Sequence, residues 1–130
     1  MPDTDFKDPE QVLASLNVAF PGEENNDMFF TIWYGVYNKT TRELTYASGG
    51  HPPALLIGEP DFDDSRAKPL RTPNNVIGAV RDVTYQKSKY PRGEQTTLYI
   101  FSDGVYEVEK PDGSMWQLEE FTDYMNKIKT

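Results

Sequence analysis

The chain has 130 residues, and its 37% hydrophobic and 13% aromatic content is enough for one compact domain with a single core. Its 21 acidic residues outnumber its 13 basic residues, and the formal net charge of -8 argues against binding to nucleic acid or to an anionic membrane surface. The absence of cysteine excludes disulfides and thiolate metal sites, and no apolar run is long enough to cross a bilayer, so we expect a cytoplasmic protein.

The first predicted element is a helix that begins after Asp8 and runs to Phe20. Asp8 has the properties of an N-cap, Pro9 suits the first helical position, and Gln11 stands where a capping box has its partner. Pro21 and Gly22 end the helix. Apolar residues at helical spacing predict one buried face, composed of Val12, Leu13, Leu16, Ala19 and Phe20.

Strands follow the first helix. Bulky residues alternate on both faces from Met28 to Tyr37, which predicts a central strand covered on both sides. Asn38 to Glu43 reads as a polar turn, Leu44 to Ser48 as the second strand of a hairpin, and Ala54 to Ile57 as a third strand.

The second half of the chain is predicted to contain two more strands and a final helix. The acidic segment from Glu59 to Pro69 has the composition of an exposed connector, and Val76 to Val80 is compatible with a strand or a buried turn. Val83 to Tyr90 and Thr97 to Phe101 are predicted strands, the latter central, and Pro91 to Glu94 is a predicted turn. The last helix has an apolar face and a candidate cap at Ser114, the face consisting of Leu118, Phe121, Met125 and Ile128. This order predicts an α+β fold with a mostly antiparallel sheet and flanking helices.

Asp103 is the strongest candidate for chemistry. It follows a predicted strand and lies between Ser102 and Gly104, where a carboxylate is held rigidly and suits a hard cation such as Mg²⁺ or Mn²⁺. An Asp-Gly pair after a strand is also a common tight turn, so both interpretations stay open. Glu107, four residues later, either reinforces an acidic site or is simply solvated.

Other chemistry-bearing residues favour structural roles. His51 is the only histidine, which excludes a two-histidine metal site, and its Gly-Gly-His-Pro-Pro context is typical of a chain reversal rather than of a catalytic base. The aspartates at 61, 63 and 64 lack the glycine and distal glutamate of a calcium loop. The strand aromatics between Trp33 and Tyr46 are compatible with a binding platform but are more typical of a core.

Several strings, in the same order, resemble the type 2C (PPM) protein phosphatases, in particular the bacterial branch named after the stage II sporulation phosphatase E. Together they cover nearly the whole chain. The strings are Met28-Phe29-Phe30-Thr31, Gly35-Val36-Tyr37, Leu44 to Pro53, Val76-Ile77-Gly78, Tyr90 to Glu94 and Leu98 to Glu107.

The resemblance implies a metal-dependent protein serine/threonine phosphatase. In this family two divalent metals, usually manganese or magnesium, are held by aspartates, and a metal-bridging water attacks the phosphorus without a covalent intermediate. The family's Asp-Gly acid corresponds to Asp103, which is thereby implied to be a metal ligand. His51 falls in the later Gly-His-Pro string, for which the resemblance implies a structural role.

The sequence departs from the family pattern in its metal-binding aspartates. The family has one metal-binding aspartate before the helix at Asp8 and another beyond the final helix, and neither has a counterpart here. We therefore expect a truncated domain, the central to late part of a PPM-type β-sandwich, inactive in isolation because one carboxylate cannot assemble a two-metal centre. A catalytically dead binding module and an unrelated small α+β binding domain are the alternatives.

The resemblance also implies partners. Phosphatases of this branch typically act on a phosphorylated regulatory protein, such as an anti-sigma-factor antagonist, and often follow a sensor or receiver domain. Because strands of the family sheet are missing, we further expect exposed sheet edges and self-association into a homodimer.

Overall fold

The computed structural model describes residues 3–58, 67–91 and 96–128, without the side chains of Pro91 and Ile128. The described residues form two compact units. The first unit contains the described residues up to Pro53 and those from Arg71 to Pro91. The second unit contains the described residues of Ala54–Leu70 and residues 96–128. Helices and antiparallel strands occur in both units, which confirms the α+β prediction.

Helix α1 spans Pro9–Ala19, in close agreement with the sequence. The Asp8 carboxylate accepts a hydrogen bond from the Glu10 amide (3.1 Å), and Pro9 occupies the first turn, where its missing amide hydrogen costs nothing. The capping box does not form, because the Asp8 amide donates to the Asp5 carbonyl (3.0 Å) rather than to the Gln11 side chain. The Gln11 side chain instead donates to the Asp8 carboxylate (3.3 Å).

The buried face of α1 is shorter than predicted. Val12 and Leu13 are buried, whereas Ala19 and Phe20 are exposed. The prediction was wrong for Phe20 because the helix ends at Ala19 and Phe20 leaves helical geometry (φ -128°), so its side chain no longer follows the helical spacing. It was also wrong for Ala19, the last helical residue, which is exposed. Phe20 instead contacts Phe30 edge to face, with the ring centroids 5.9 Å apart.

The sheet of the first unit has three antiparallel strands: β1 (Ile32–Asn38), β2 (Glu43–Gly49) and β5 (Ser88–Pro91), in the order β1-β2-β5. The β1–β2 hairpin is confirmed. The central position predicted for the first strand is wrong, because β2 lies in the middle and β1 at an edge, with side chains that are half-buried or exposed. Aromatic and β-branched residues favour strands at either position, so their alternation did not distinguish them. Only the end of the predicted strand from Val83 to Tyr90 forms β5.

The core of the first unit lies between α1 and this sheet. Leu13, Ala47, Ile77 and Tyr85 are its buried members. Ile77 is buried and forms an isolated bridge with Phe30, with which it exchanges two backbone hydrogen bonds (2.8 and 3.1 Å). The predicted segment from Val76 to Val80 is therefore neither a strand nor a buried turn as a whole, because Ala79 and Val80 are exposed.

The second unit contains a sheet in the order β4-β3-β6, made of β3 (Ala54–Ile57), β4 (Lys68–Leu70) and β6 (Thr97–Tyr99), and helix α2 (Leu118–Ile128). Strand β3 is buried along its whole length and is central, whereas β6, predicted to be central, is an edge strand. Strand β4 was missed. The core is formed by Leu55, Ile57, Ala67 and Met125, with Phe121 packed against it, so the predicted apolar face of the last helix is confirmed at Phe121 and Met125.

Helix α2 begins later than the predicted cap. Ser114 is bonded to the Asp112 carboxylate (2.9 Å from its amide), so the cap assigned to Ser114 is wrong. The N-terminal turn is closed instead by Glu120, whose carboxylate accepts from the Gln117 amide (3.3 Å). Glu120 also pairs with Lys110.

Two predicted segments lie outside the described residues: 59–66, with its aspartates, and 92–95. Within the described part of the chain, neither helix has the length and apolar character needed to span a membrane.

Candidate functional site

Asp103 lies in the second unit, four residues after β6. Ser102 is extended, and Asp103 then opens a short 3₁₀ turn, Asp103–Val105. The backbone carbonyl of Asp103 accepts hydrogen bonds from the amides of Tyr106 (3.1 Å) and Glu107 (2.9 Å), and its side chain is on the exposed surface. The exposed position at a tight turn agrees with the prediction from the sequence. The strand before it differs from the prediction, because β6 lies at a sheet edge and ends at Tyr99 rather than directly before Ser102.

The turn is anchored by aromatic packing. Tyr106 is buried and stacks on Phe121 of α2 (centroids 5.8 Å apart), and Phe101 meets both rings edge to face, at 6.1 Å from Tyr106 and 5.0 Å from Phe121. Such a cluster fixes the backbone on both sides of Asp103.

The electrostatic environment of the turn is negative. Burial raises the pKa of the Tyr106 phenol, and the nearby carboxylates of Glu107, Asp103 and Glu119 raise that pKa further. The field of these carboxylates favours positive charge near the turn.

The described residues do not fit a two-metal centre. No group of three or more His, Cys, Asp or Glu side chains in the ranges 3–58, 67–91 and 96–128 is arranged to hold a metal ion. Magnesium and manganese each require about six ligands, mostly oxygens, so one exposed carboxylate does not form such a site. The assignment of Asp103 as a metal ligand stays a prediction, and Glu107 adds a carboxylate to the same turn without completing a cluster.

His51 belongs to the first unit, after β2. Its Nδ1 lies 2.9 Å from the Thr31 hydroxyl, which is within hydrogen-bonding distance. Gly50, immediately before it, has φ +66°, a conformation that favours glycine, and the chain bends at His51.

Sequence reasoning missed a buried polar network at the end of β2. Ser48 and Thr72 are both buried, and each donates its amide to the hydroxyl of the other (2.8 and 2.9 Å). Asn74 extends the network by donating to the Thr72 hydroxyl and by exchanging two bonds with the backbone of Gln86 (2.8 and 2.9 Å). The hydroxyl groups of Ser48 and Thr72 both have hydrogen-bond partners in this network, which holds the segment after β4 against β2.

Asn17 was also missed. It is a buried polar residue of α1 that accepts from the Gly78 amide (2.8 Å) and donates to the Val80 carbonyl (2.9 Å). The available signal was its position four residues after Leu13, on the apolar face of the predicted helix, where a polar side chain needs a partner.

Comparisons with known proteins are consistent with the resemblance in the sequence. Comparison with solved structures gave no significant match. Phosphoserine phosphatase RsbU of Bacillus subtilis (strain 168) is 34% identical over 107 residues, which is 81% of this chain. The matched region spans only 30% of the length of that relative. A family model described as stage II sporulation protein E (SpoIIE) matches residues 3–130. The chain therefore belongs to the SpoIIE family of PPM-type phosphatases.

Proposed function

We propose that this chain forms part of a metal-dependent protein serine/threonine phosphatase domain that hydrolyses phosphoserine or phosphothreonine on a bacterial regulatory protein. The observation that carries the proposal is the family match over residues 3–130, together with the 34% identity to a phosphoserine phosphatase. Residues 1–130 would be one portion of a single longer phosphatase domain, its central to late part.

In this proposal Asp103 is a metal ligand for Mn²⁺ or Mg²⁺. Its place at a solvent-accessible, aromatic-anchored turn in a negative environment supports that role. Because the described residues contain no cluster able to hold a metal, the remaining ligands would come from residues that flank this chain in a longer protein. The isolated chain would accordingly be inactive.

The proposed substrate is a phosphorylated regulator such as an anti-sigma-factor antagonist, and a sensor or receiver domain in the same protein would control the reaction. The net charge of -8 supports a protein partner rather than nucleic acid or a membrane surface. The cytoplasmic location expected from the sequence stays a prediction.

Homodimer formation also remains a proposal, and the edge position of β1 in its sheet supports it, since an edge strand can pair with a strand of a second copy. Light scattering at high protein concentration tests it: a strictly monomeric species would count against pairing.

A second candidate function is a catalytically dead, phosphatase-like binding or regulatory module. The lack of a metal-binding group of side chains among the described residues favours it.

Manganese binding and hydrolysis distinguish the two candidates. We would titrate Mn²⁺ calorimetrically into this chain and into a longer form with flanking residues on both sides, and assay both with an aryl phosphate and a phosphoserine peptide. The phosphatase proposal predicts that only the longer form binds two metals and turns over both substrates. No binding and no turnover by either form would instead support the binding module.

A further inference from the structure

A cleft of about 370 Å³ opens on the surface of the first unit. It is bounded by the end of α1, by the loop from Pro21 to Phe29 and by the segment from Gly78 to Arg81. Phe29 and Val80 line it and keep 54% and 44% of their surface exposed. Concave, partly apolar surfaces of this kind are typical of interaction sites.

Two further exposed aromatic side chains belong to the first unit. Phe20 and Phe30, in edge-to-face contact, are 48% and 38% exposed. Their backbones lie near one wall of the cleft, because Phe30 pairs with Ile77 and a Cβ added to Gly78 would lie 2.8 Å from the Phe20 carbonyl oxygen.

The cleft is preformed. The Asn17 side chain bonds to Gly78 and Val80, and the Gly22 amide donates to the Gly78 carbonyl (2.9 Å). These bonds fix the two loops that form its walls. A ligand would therefore bind with a small cost in loop ordering.

Acidic residues line the cleft and lie beside it. Glu23 and Asp27 line the cleft, and Glu24 is exposed beside them. The basic residue at the rim is Arg81, which pairs with Glu23. The Glu23–Arg81 pair is neutral overall, so Asp27 in the cleft and Glu24 beside it leave a net negative charge next to the apolar side chains of Phe29 and Val80. The complementary ligand therefore has apolar side chains with positive neighbours.

We propose that this cleft docks a peptide segment of a partner protein in which apolar side chains are flanked by lysine or arginine. The apolar side chains contact Phe29 and Val80, and the basic side chains approach Glu23 and Asp27. This binding activity goes beyond the proposed phosphatase function, since its residues belong to the first unit and do not include Asp103.

The test is fluorescence anisotropy on the full 130-residue chain. The probe is a short labelled peptide with a central Leu-Phe pair flanked on each side by Lys and Arg. Control peptides replace the Leu-Phe pair by serines or the basic residues by glutamates, and neither should bind. Affinity for the probe should also fall as salt is raised, because the basic flanks contribute screened charge interactions.

Protein variants locate the site. Val80→Asp should weaken binding about tenfold, as expected for a central apolar contact. The double variant Glu23→Gln/Asp27→Asn should weaken it about fivefold at low salt and less at high salt. Val108→Asp is the control for the first, since Val108 is an exposed valine of the second unit.

The control for the double variant is Glu109→Gln/Asp123→Asn, which removes the same charge from exposed positions of the second unit. Both controls should bind like the parent chain, and circular dichroism checks the fold of every variant. Equal losses in the site and control variants would overturn the proposal. The absence of probe binding would also overturn it. If the probe does not bind and Val80→Asp converts a dimer of the chain into a monomer, the occupant of the cleft is a second copy of this chain and not a partner peptide. Neither result bears on phosphatase activity, which is measured separately on the longer form.

Discussion

Replacing Asn17 by alanine should destabilise the first unit, because two backbone groups lose their hydrogen-bond partner at once. Asn17 is 9% exposed and serves two backbone groups, the Gly78 amide and the Val80 carbonyl. Each group that loses its partner in a buried position costs about 1–3 kcal/mol. Both bonds are only partly buried, so we expect values at the low end and a total loss of about 2 kcal/mol.

Urea denaturation measures this loss. With a slope of about 1.5 kcal/mol per molar urea, a loss of about 2 kcal/mol lowers the midpoint by roughly 1.3 M. A Trp116→Phe background leaves Trp33, which stacks on Tyr46 in the first unit, as the fluorescent reporter.

The matched control is Asn25→Ala. Asn25 also donates its side-chain amide to a backbone carbonyl, that of Pro21 (2.8 Å), but in an exposed position. Its loss should stay within about 0.5 kcal/mol and move the midpoint by no more than roughly 0.3 M. Equal midpoint shifts in the two variants would show that burial of the hydrogen-bonded groups does not determine the loss of stability.

Three further predictions concern the first unit. Burial raises the pKa of Asp8, but hydrogen bonds from Lys87 and the Glu10 amide outweigh it and lower that pKa below its ordinary value, while the bond to Asp8 raises the pKa of Lys87. The Asp8–Lys87 pair therefore stabilises the fold between pH 3.8 and pH 10.5, the ordinary pKa values of the two groups, and this contribution is lost at lower and at higher pH. The difference in the free energy of unfolding between the parent and Lys87→Met should shrink at both pH extremes. A difference that stays constant with pH would contradict the pairing. Gly78→Ala should cost at least about 1–2 kcal/mol in urea titrations, because φ is +94° and the added carbon would lie 2.8 Å from a carbonyl oxygen; an unchanged midpoint would be inconsistent with this geometry. Tyr85→Phe should leave stability unchanged or raise it by up to about 1 kcal/mol, because the buried hydroxyl has no hydrogen-bond partner in the described part of the chain, and a clear loss would reveal one.

The fold was predictable where the signal is local. Asp8 and Pro9 define the start of α1 through their own chemistry, so the sequence located that helix to within one residue. The neighbours of a strand are not encoded in its own residues. Alternating aromatics therefore predicted the strand around Trp33 but not its edge position. Strand β4 (Lys68–Leu70) was missed because it contains no β-branched or aromatic residue and forms a strand only through its pairing with β3.

The candidate site was predictable in the same limited sense. The sequence predicted an acid directly after a strand that ends at Phe101, and in the structure the strand ends at Tyr99 and Asp103 opens a turn four residues later. Asn17 could have been suspected from its apolar helix face, but its partners lie more than sixty residues away in the chain and become neighbours only through the tertiary fold. Whether other acidic side chains lie close to Asp103 also depends on contacts between distant parts of the chain, which the local sequence pattern does not predict.

The most direct test of the central claim is phosphate release from a phosphoserine peptide by the longer form of the protein, with and without Mn²⁺, as the parent and as Asp103→Asn. Asp123→Asn, at an exposed position of α2, is the matched control. The account predicts metal-dependent release by the parent and by Asp123→Asn, and loss of that release in Asp103→Asn with an unchanged circular dichroism spectrum. Full metal-dependent activity in Asp103→Asn would contradict the assignment of Asp103 to the phosphatase site.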